Sequence, residues 1–164
     1  MSGIDRILER ASAYQAGFDK RDLTAVPRSR VAIVACMDAR VHPFALFGLE
    51  EGDAHVIRNA GGVVTDDVVR SLCLSQRLLG TLEVLLLHHT GCGMLTVDDE
   101  AFAAELERES GERPPWQAGG FRDVEENVRQ SLRRLLSTPF LPRREDIRGF
   151  VYDVDTGAIT EVTG

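Results

Sequence analysis

Two runs of consecutive apolar residues constrain the fold of this chain more than any other feature of its sequence. Residues 30–36 read RVAIVAC and residues 82–88 read LEVLLLH. A strand with one exposed face alternates apolar and polar residues, whereas continuous runs of this kind are typical of strands covered on both faces. Such strands occur in parallel sheets flanked by helices, so we expect an α/β protein.

The segments around these runs carry helix and strand patterns in alternation. Helices are predicted at residues 3–18, 65–80, 98–109 and 121–136, and further strands at 54–58 and in a hairpin formed by 148–154 and 158–162. This order favours a mostly parallel sheet with an antiparallel strand at its edge and with helices on both faces. The helix that Thr65 or Asp66 caps is apolar nearly all round, which predicts that both of its sides are buried, one of them by another subunit.

Length and composition indicate a single domain that spans residues 1–164. The chain is 43% hydrophobic, which is enough to form a core. Residues 3–18 place Ile4, Ile7 and Tyr14 at helical spacing, while the rest of that segment is polar. We therefore expect residues 1–25 to form an N-terminal helical arm that lies on a surface, such as that of a partner subunit.

Charge and cysteine content exclude several classes of function. The formal net charge is −7, which argues against non-specific binding to nucleic acid or anionic lipid. The longest apolar run, Val31 to Met37, is too short to cross a bilayer, and the charged first residues do not resemble an export signal. Three cysteines favour free or metal-bound thiolates over a disulfide framework, so we expect a cytoplasmic protein without a nucleic-acid or membrane partner.

Two short polar clusters follow the two apolar runs. Cys36-Met37-Asp38-Ala39-Arg40 ends the first predicted strand, and His89-Thr90-Gly91-Cys92 follows the other. Ligand sites of open α/β sheets lie beyond the carboxyl ends of the strands. Two thiolates and one imidazole suit Zn²⁺, and three protein ligands leave a position for water, as in catalytic zinc sites. The sequence therefore predicts a metal site formed by Cys36, His89 and Cys92.

The remaining cysteine and histidines receive other predictions. Cys73 lies among leucines in a predicted helix and is expected in the core. His88 precedes His89 on a strand, so its side chain points to the opposite face and has a core or hydrogen-bonding role. His42 is either a loop histidine or a group that transfers a proton to solvent. His55 is expected to be structural.

Asp38 has three possible roles that the sequence leaves open. It can be a fourth metal ligand, a partner of Arg40 or a helix cap. Arg40 offers a bidentate fork for the carboxylate, and that pairing would leave the water position free. We therefore expect two states, closed with Asp38 on the metal and open with Asp38 on Arg40.

A glycine pair follows the second predicted strand in RNAGGVV. Gly61 and Gly62 either let the backbone pass close to the site or form an ordinary tight turn, and the sequence favours neither. Ala60 and Gly61 are our candidates for the wall of a substrate pocket.

Taken together, these residues make the chain resemble a β-class carbonic anhydrase of the small bacterial type. Its Cys-x-Asp-x-Arg motif is similar to residues 36–40, its His-x-x-Cys motif to 89–92 and its Arg-Asn-Ala-Gly segment to 58–61. ENVRQSLRRL at 126–135 and GFVYDVDTG at 149–157 resemble its late helix and last hairpin. The resemblance covers nearly the whole chain in the correct order.

The resemblance implies a fold, a site and an activity. It implies a sheet of order 2-1-3-4 with an antiparallel fifth strand at the edge. It implies one Zn²⁺ per subunit on Cys36, His89 and Cys92, with Asp38 and Arg40 as the catalytic dyad. The implied reaction is the reversible hydration of CO₂ to bicarbonate and a proton by a zinc-bound hydroxide. It further implies a homodimer or a higher homo-oligomer with the N-terminal helix over the neighbour.

Three alternatives stay open at this point. The same site could hydrolyse carbonyl sulfide or carbon disulfide. Alternatively, Asp38 could close the site permanently in a non-catalytic zinc-binding protein. A metal-free cysteine enzyme is disfavoured, because the Cys-x₃-Arg spacing does not match the five-residue loop of cysteine phosphatases.

Overall fold

The computed structural model describes residues 1–163 and contains one mixed sheet. The strands are β1 (Val31–Cys36), β2 (Ala54–Asn59), β3 (Glu83–His89), β4 (Ile147–Tyr152) and β5 (Ile159–Val162). Their order is β2-β1-β3-β4-β5, with β5 antiparallel to β4 and the other pairs parallel. The predicted α/β class, strand order and antiparallel edge strand are confirmed. Gly164, the last residue of the predicted single domain, lies outside the described residues.

The helices are α1 (Gly3–Ala16), α2 (Pro43–Phe47), α3 (Asp66–Leu78), α4 (Asp99–Ser110) and α5 (Val124–Ser137). A short 3₁₀ turn at Ala60–Gly62 follows β2, and a second one at Gly93–Thr96 follows the loop after β3. Among residues 1–163, each helix is too short or too polar to cross a membrane.

Alternate residues of β1 enter two separate cores, one on each face of the sheet. Ala32 and Val34 pack with side chains of α3 and α5, while Ile33 and Ala35 pack with side chains of α2 and of the loop after it. The continuous apolar run of β1 is therefore explained by burial on both faces. Helices on both faces are confirmed, although α2 is a short helix that the sequence did not predict.

Side chains at the helix N-termini explain where the helices begin. The hydroxyl of Thr65 and the carboxylates of Asp98 and Asp123 accept hydrogen bonds from backbone N–H groups in the first turns of α3, α4 and α5. The caps at Thr65 and Asp98 match the prediction. The predicted start of α5 at Phe121 is wrong, because Asp123 caps the helix and Phe121 precedes it as a buried loop residue.

Only one side of α3 is buried within the chain. Val68 and Leu72 face the core, but Leu78 on the other side is 72% exposed. The prediction that both sides are buried is therefore not met by this chain alone. Its partner-subunit part stays a prediction, and the exposed side of the helix carries two leucines among charged residues.

The first helix has no buried residue. Ile4, Ile7 and Leu8 are each more than 60% exposed. A hydrogen bond of 2.7 Å from the Tyr14 hydroxyl to the Glu51 carboxylate connects the helix to the rest of the chain. The predicted arm thus begins as a helix with an uncovered apolar face.

Candidate metal centre

The sheet brings together the three residues that the sequence predicts as metal ligands. Cys36 is the last residue of β1 and His89 is the last residue of β3, and these strands are parallel neighbours. Cys92 follows in the turn that leaves β3. The two Sγ atoms and an imidazole nitrogen all lie within 4.8 Å of one another. The predicted cluster at the carboxyl edge of the sheet is therefore present in the structure.

The distances within this cluster fit a tetrahedral zinc ion. Cys36 Sγ lies 3.9 Å from Cys92 Sγ. Two Zn–S bonds of about 2.3 Å at a tetrahedral angle place two sulfur atoms about 3.8 Å apart. A disulfide would need a separation of about 2.05 Å. The two thiols are thus spaced for a shared cation, and both residues are 4% exposed.

His89 presents one ring nitrogen to the cluster. Its Nδ1 lies 2.8 Å from the carbonyl oxygen of Thr90. A carbonyl only accepts hydrogen bonds, so Nδ1 carries the proton and the Nε2 lone pair faces the thiols in the neutral ring. This Nε2 is buried and has no hydrogen-bond partner among the described residues. A metal ion at this position would accept its lone pair.

The surroundings of the two thiols act on their acidity in opposite directions. Burial raises the pKa of Cys36, but the His89 imidazole and the backbone N–H groups of Asp38 and Gly61 lower it below its usual value. Burial raises the pKa of Cys92, with a further contribution from the nearby Cys36. Two buried thiolates 3.9 Å apart repel each other unless a cation lies between them. The donor set therefore fits a divalent metal that keeps both sulfurs ionised.

Asp38 is held by Arg40 in the structure. Oδ1 accepts hydrogen bonds from the Arg40 backbone N–H at 2.9 Å and from Nε at 3.0 Å, and Oδ2 accepts one from Nη2 at 2.7 Å. The Arg40 side chain is the main reason that the pKa of Asp38 is far below its usual value. Of the three predicted roles, the structure shows the partner of Arg40. The helix cap is wrong, because His42 caps α2.

The same arginine ties the Asp38 carboxylate to the loop of the third ligand. Arg40 Nη2 also donates to the carbonyl oxygen of Gly91 at 2.9 Å. Asp38 Oδ2 lies 3.7 Å from Nε2 of His89, so a carboxylate oxygen borders the predicted metal position. This geometry corresponds to the predicted open state, with Asp38 on Arg40.

The glycine pair of the first 3₁₀ turn lies against the ligand strands. Gly62 has φ = +67°, and a Cβ atom built on it would lie 2.9 Å from the Cys36 nitrogen and 3.1 Å from the Ala35 carbonyl carbon. Both predicted explanations apply, since the pair forms a turn and passes close to the site. Ala60 begins the same turn, and no contact of the structure assigns it or Gly61 to a substrate.

An apolar shell that the sequence did not predict surrounds the two cysteines. Phe121 is buried with Cys36 and Cys92, and Val63 and Met94 pack against them. The helical pattern predicts Phe121 in the first turn of α5, but the residue precedes the helix as a buried loop residue. No other pattern in the sequence places it beside the cysteines.

The remaining predicted residues lie outside the cluster. His42 is exposed, and its Nδ1 accepts a hydrogen bond from the Ala45 N–H. The side chain of His88 is fully buried on the face of β3 opposite to His89, and burial lowers its pKa to about 4. His55 bonds the Ser75 hydroxyl and the Ala25 carbonyl, as expected of a structural histidine. Cys73 is only half-buried, so its predicted place in the core is met in part.

The chain is similar in sequence and fold to known carbonic anhydrases. A family model described as carbonic anhydrase matches residues 31–116. Beta-carbonic anhydrase 1 of Mycobacterium tuberculosis is 52% identical over 99% of both chains. The crystal structure of a carbonic anhydrase from Streptococcus mutans superposes with a TM-score of 0.91 at 43% identity, over 99% of both chains. A carbon disulfide hydrolase of Acidianus sp. is 32% identical and covers 93% of this chain and 85% of its own.

Proposed function

This chain belongs to the β-carbonic anhydrase family of enzymes, and we propose that it catalyses the reversible hydration of CO₂ to bicarbonate and a proton with one Zn²⁺ per subunit. The observation that carries the proposal is the cluster of Cys36, His89 and Cys92 beside a carboxylate held by Arg40. When bound there, Zn²⁺ supplies a Lewis acid that lowers the pKa of a water molecule toward about 7.

Asp38 and Arg40 divide the remaining chemistry between them. The Asp38 carboxylate is ionised and borders the cluster, so it can accept a hydrogen bond from the attacking hydroxyl and orient its lone pair toward CO₂. Arg40 holds both carboxylate oxygens, and it thereby keeps Asp38 from occupying the position that water needs. This arrangement supports the catalytic interpretation over a zinc site that Asp38 closes permanently.

The residues around this dyad complete the proposal. We assign the wall of the CO₂ pocket to Ala60 and Gly61, since the 3₁₀ turn that contains them donates a backbone N–H to Cys36. His42 is exposed four residues beyond Asp38 and is our candidate for passing the released proton to buffer. The three cysteines form no disulfide, as is usual in reducing compartments, which supports a cytoplasmic location.

We further propose that the chain acts as a homodimer or larger homo-oligomer. The apolar face of α1, which includes Ile4, Ile7 and Leu8, is uncovered, as is Leu78 on the outer side of α3. Exposed apolar surface of this extent is typical of contacts between subunits. Residues 1–25 are then the arm that packs on the partner.

Stopped-flow CO₂ hydration on protein of known zinc content tests the proposed reaction. We expect activity to rise between pH 7 and pH 9, because deprotonated water is the nucleophile. Activity that falls steadily over this range would contradict the proposal.

Arg40→Ala tests the dyad. It should lower the rate about tenfold to a hundredfold with zinc retained, as expected of residues that orient groups around a metal. The matched control is Arg148→Ala, which removes a similar two-pronged contact from Arg148 to Glu161 at the far edge of the sheet. The control should keep the wild-type rate, and an equal loss in both variants would refute the role of the dyad.

Carbon disulfide hydrolysis is the second candidate function. The Acidianus relative of that name, at 32% identity, supports it, and the reaction uses the same kind of nucleophile. The higher identity to the mycobacterial carbonic anhydrase favours CO₂. Sulfide release from carbon disulfide or carbonyl sulfide, measured beside CO₂ hydration on one preparation, separates the two activities.

A further inference from the structure

Arg58 bonds the backbone of the segment that carries both a predicted ligand and the catalytic carboxylate. It lies in β2, and its side chain reaches the end of the neighbouring strand β1 and the residues that follow that strand. Nε donates to the carbonyl oxygen of Cys36 at 3.0 Å, and Nη2 donates to the carbonyl oxygen of Asp38 at 2.8 Å. One planar guanidinium thus spans the backbone on both sides of Met37.

Asp38 lies just beyond the point where the pairing of β1 with β2 ends. The last ladder contact of β1 with β2 joins Cys36 to Asn59, and one further bond runs from the Met37 N–H to the Asn59 carbonyl. Beyond that point, the Asp38 carbonyl accepts only the Val41 N–H, at 3.0 Å, and Arg58 Nη2 among the described contacts. The guanidinium therefore connects this segment to β2.

The position of the Asp38 carboxylate depends on that backbone. The carboxylate oxygen is 3.7 Å from Nε2 of His89, so a small movement of the segment would bring it onto the metal position. Arg40 opposes this movement through its side chain, which is anchored to the Gly91 carbonyl, but it does not hold the Asp38 backbone carbonyl. Arg58 lies on a different strand and opposes the movement from outside.

We propose that Arg58 is a positioning residue that fixes the backbone of residues 36–38 and thereby keeps the Asp38 carboxylate on Arg40 and off the metal. This inference rests on the proposed zinc site and on the two states of Asp38. A guanidinium forms two directed hydrogen bonds from a fixed plane, which an ammonium group at the same position does not reproduce. Loss of the fork should therefore favour the closed state.

Arg58→Ala and Arg58→Lys test the proposal against the wild type, with Arg148→Ala as the control for loss of an exposed arginine. The first readout is the visible spectrum of the cobalt-substituted proteins during titration with azide, which needs an open position on the metal but no turnover. We expect Arg58→Ala to bind azide about tenfold more weakly at pH 7, as for the loss of one charged hydrogen bond. The control should bind azide like the wild type.

The second readout is the pH profile of CO₂ hydration by the zinc proteins. We expect the midpoint for Arg58→Ala to lie about one pH unit higher, because a site that Asp38 closes would need a higher pH to open. Arg58→Lys keeps the charge and loses the fork, so it should retain most of this shift. Full recovery in Arg58→Lys would overturn the proposal, since charge alone would then explain the effect.

Two further outcomes overturn it. Wild-type azide affinity and pH profile in Arg58→Ala would show that the fork does not control Asp38. Loss of zinc from both Arg58 variants would show that Arg58 holds the ligand Cys36 instead. If the wild type hydrates no CO₂ but the azide affinities differ as expected, the proposed function fails while the role of Arg58 stands.

Discussion

Replacing Gly62 by alanine tests how closely the turn after β2 must approach the two ligand strands. The added Cβ would lie 2.9 Å from the Cys36 nitrogen, 3.1 Å from the Ala35 carbonyl carbon and 3.4 Å from the Leu87 carbonyl oxygen. All three are backbone atoms of β1 and β3, so no side-chain rotation relieves the contact. The strands or the turn must move.

The cost of Gly62→Ala has two parts. The left-handed backbone, with φ = +67°, costs a non-glycine residue about 1–2 kcal/mol. Forcing an extra methyl group into packed surroundings adds about 1–3 kcal/mol. We therefore expect the free energy of unfolding to fall by about 2–5 kcal/mol.

Gly111→Ala is the matched control. Gly111 also has a positive φ, +81°, but a Cβ there would have no atom within 4 Å. This variant should lose only the conformational part, about 1–2 kcal/mol. The difference between the two variants isolates the steric cost beside Cys36.

Urea unfolding of the metal-free proteins at one protein concentration measures this difference. Metal-free protein is used because bound metal would add its own binding energy to the stability. Zinc affinity, measured separately by competition with a chelator, should fall roughly tenfold to a hundredfold in Gly62→Ala only. Equal destabilisation of the two variants, with zinc affinity unchanged, would refute the idea that Gly62 spaces the ligand strands.

Three other predictions concern different parts of the chain. Cys92→Ser should lose zinc by metal analysis, while Cys73→Ser should retain it. Deletion of residues 1–25 should lower the molar mass in light scattering to that of a monomer, because the exposed face of α1 is removed. The pKa of Asp53 is lowered by the Glu50 N–H and by Arg28, so its stabilising effect is complete above the ordinary aspartate pKa of about 3.9 and is lost as the pH falls further. The difference in unfolding free energy between wild type and Asp53→Asn should accordingly shrink below about pH 4.

The strands and the ligand cluster could be predicted because one physical rule connects them. Continuous apolar runs indicate buried parallel strands, and the carboxyl ends of such strands meet at one edge of the sheet. Cys36 and His89 end two of those runs, so their proximity follows from the sheet alone once β1 and β3 are neighbours. The family resemblance, and not the hydrophobic pattern, predicts that β1 and β3 are neighbours, since such patterns do not encode strand order.

The errors arose where tertiary contacts override a local pattern. Phe121 has helical spacing with Val124 and Val128, but Asp123 caps the helix. Phe121 therefore lies outside the helix and packs against the two cysteines. The short helix α2 depends on Pro43 and on a cap from the His42 ring, and five residues are too few for a periodic signal. The outer side of α3 exposes Leu74 and Leu78 among charged residues, and a single sequence does not show whether such leucines belong to a core or to a subunit contact.

The site therefore divides into two parts that depend on different contacts. The ligand positions are set by β1, β3 and the close approach of Gly62, which are all backbone features of the sheet and its first turn. The state of Asp38 is set by side-chain contacts outside the ladder, from Arg40 to the Gly91 carbonyl and from Arg58 to the Asp38 carbonyl. Substitutions in the first part should change zinc affinity at every pH, whereas substitutions in the second should leave zinc bound and move the pH profile. A Gly62 variant that moved only the pH profile, or an Arg58 variant that changed only zinc affinity, would contradict this division of the site.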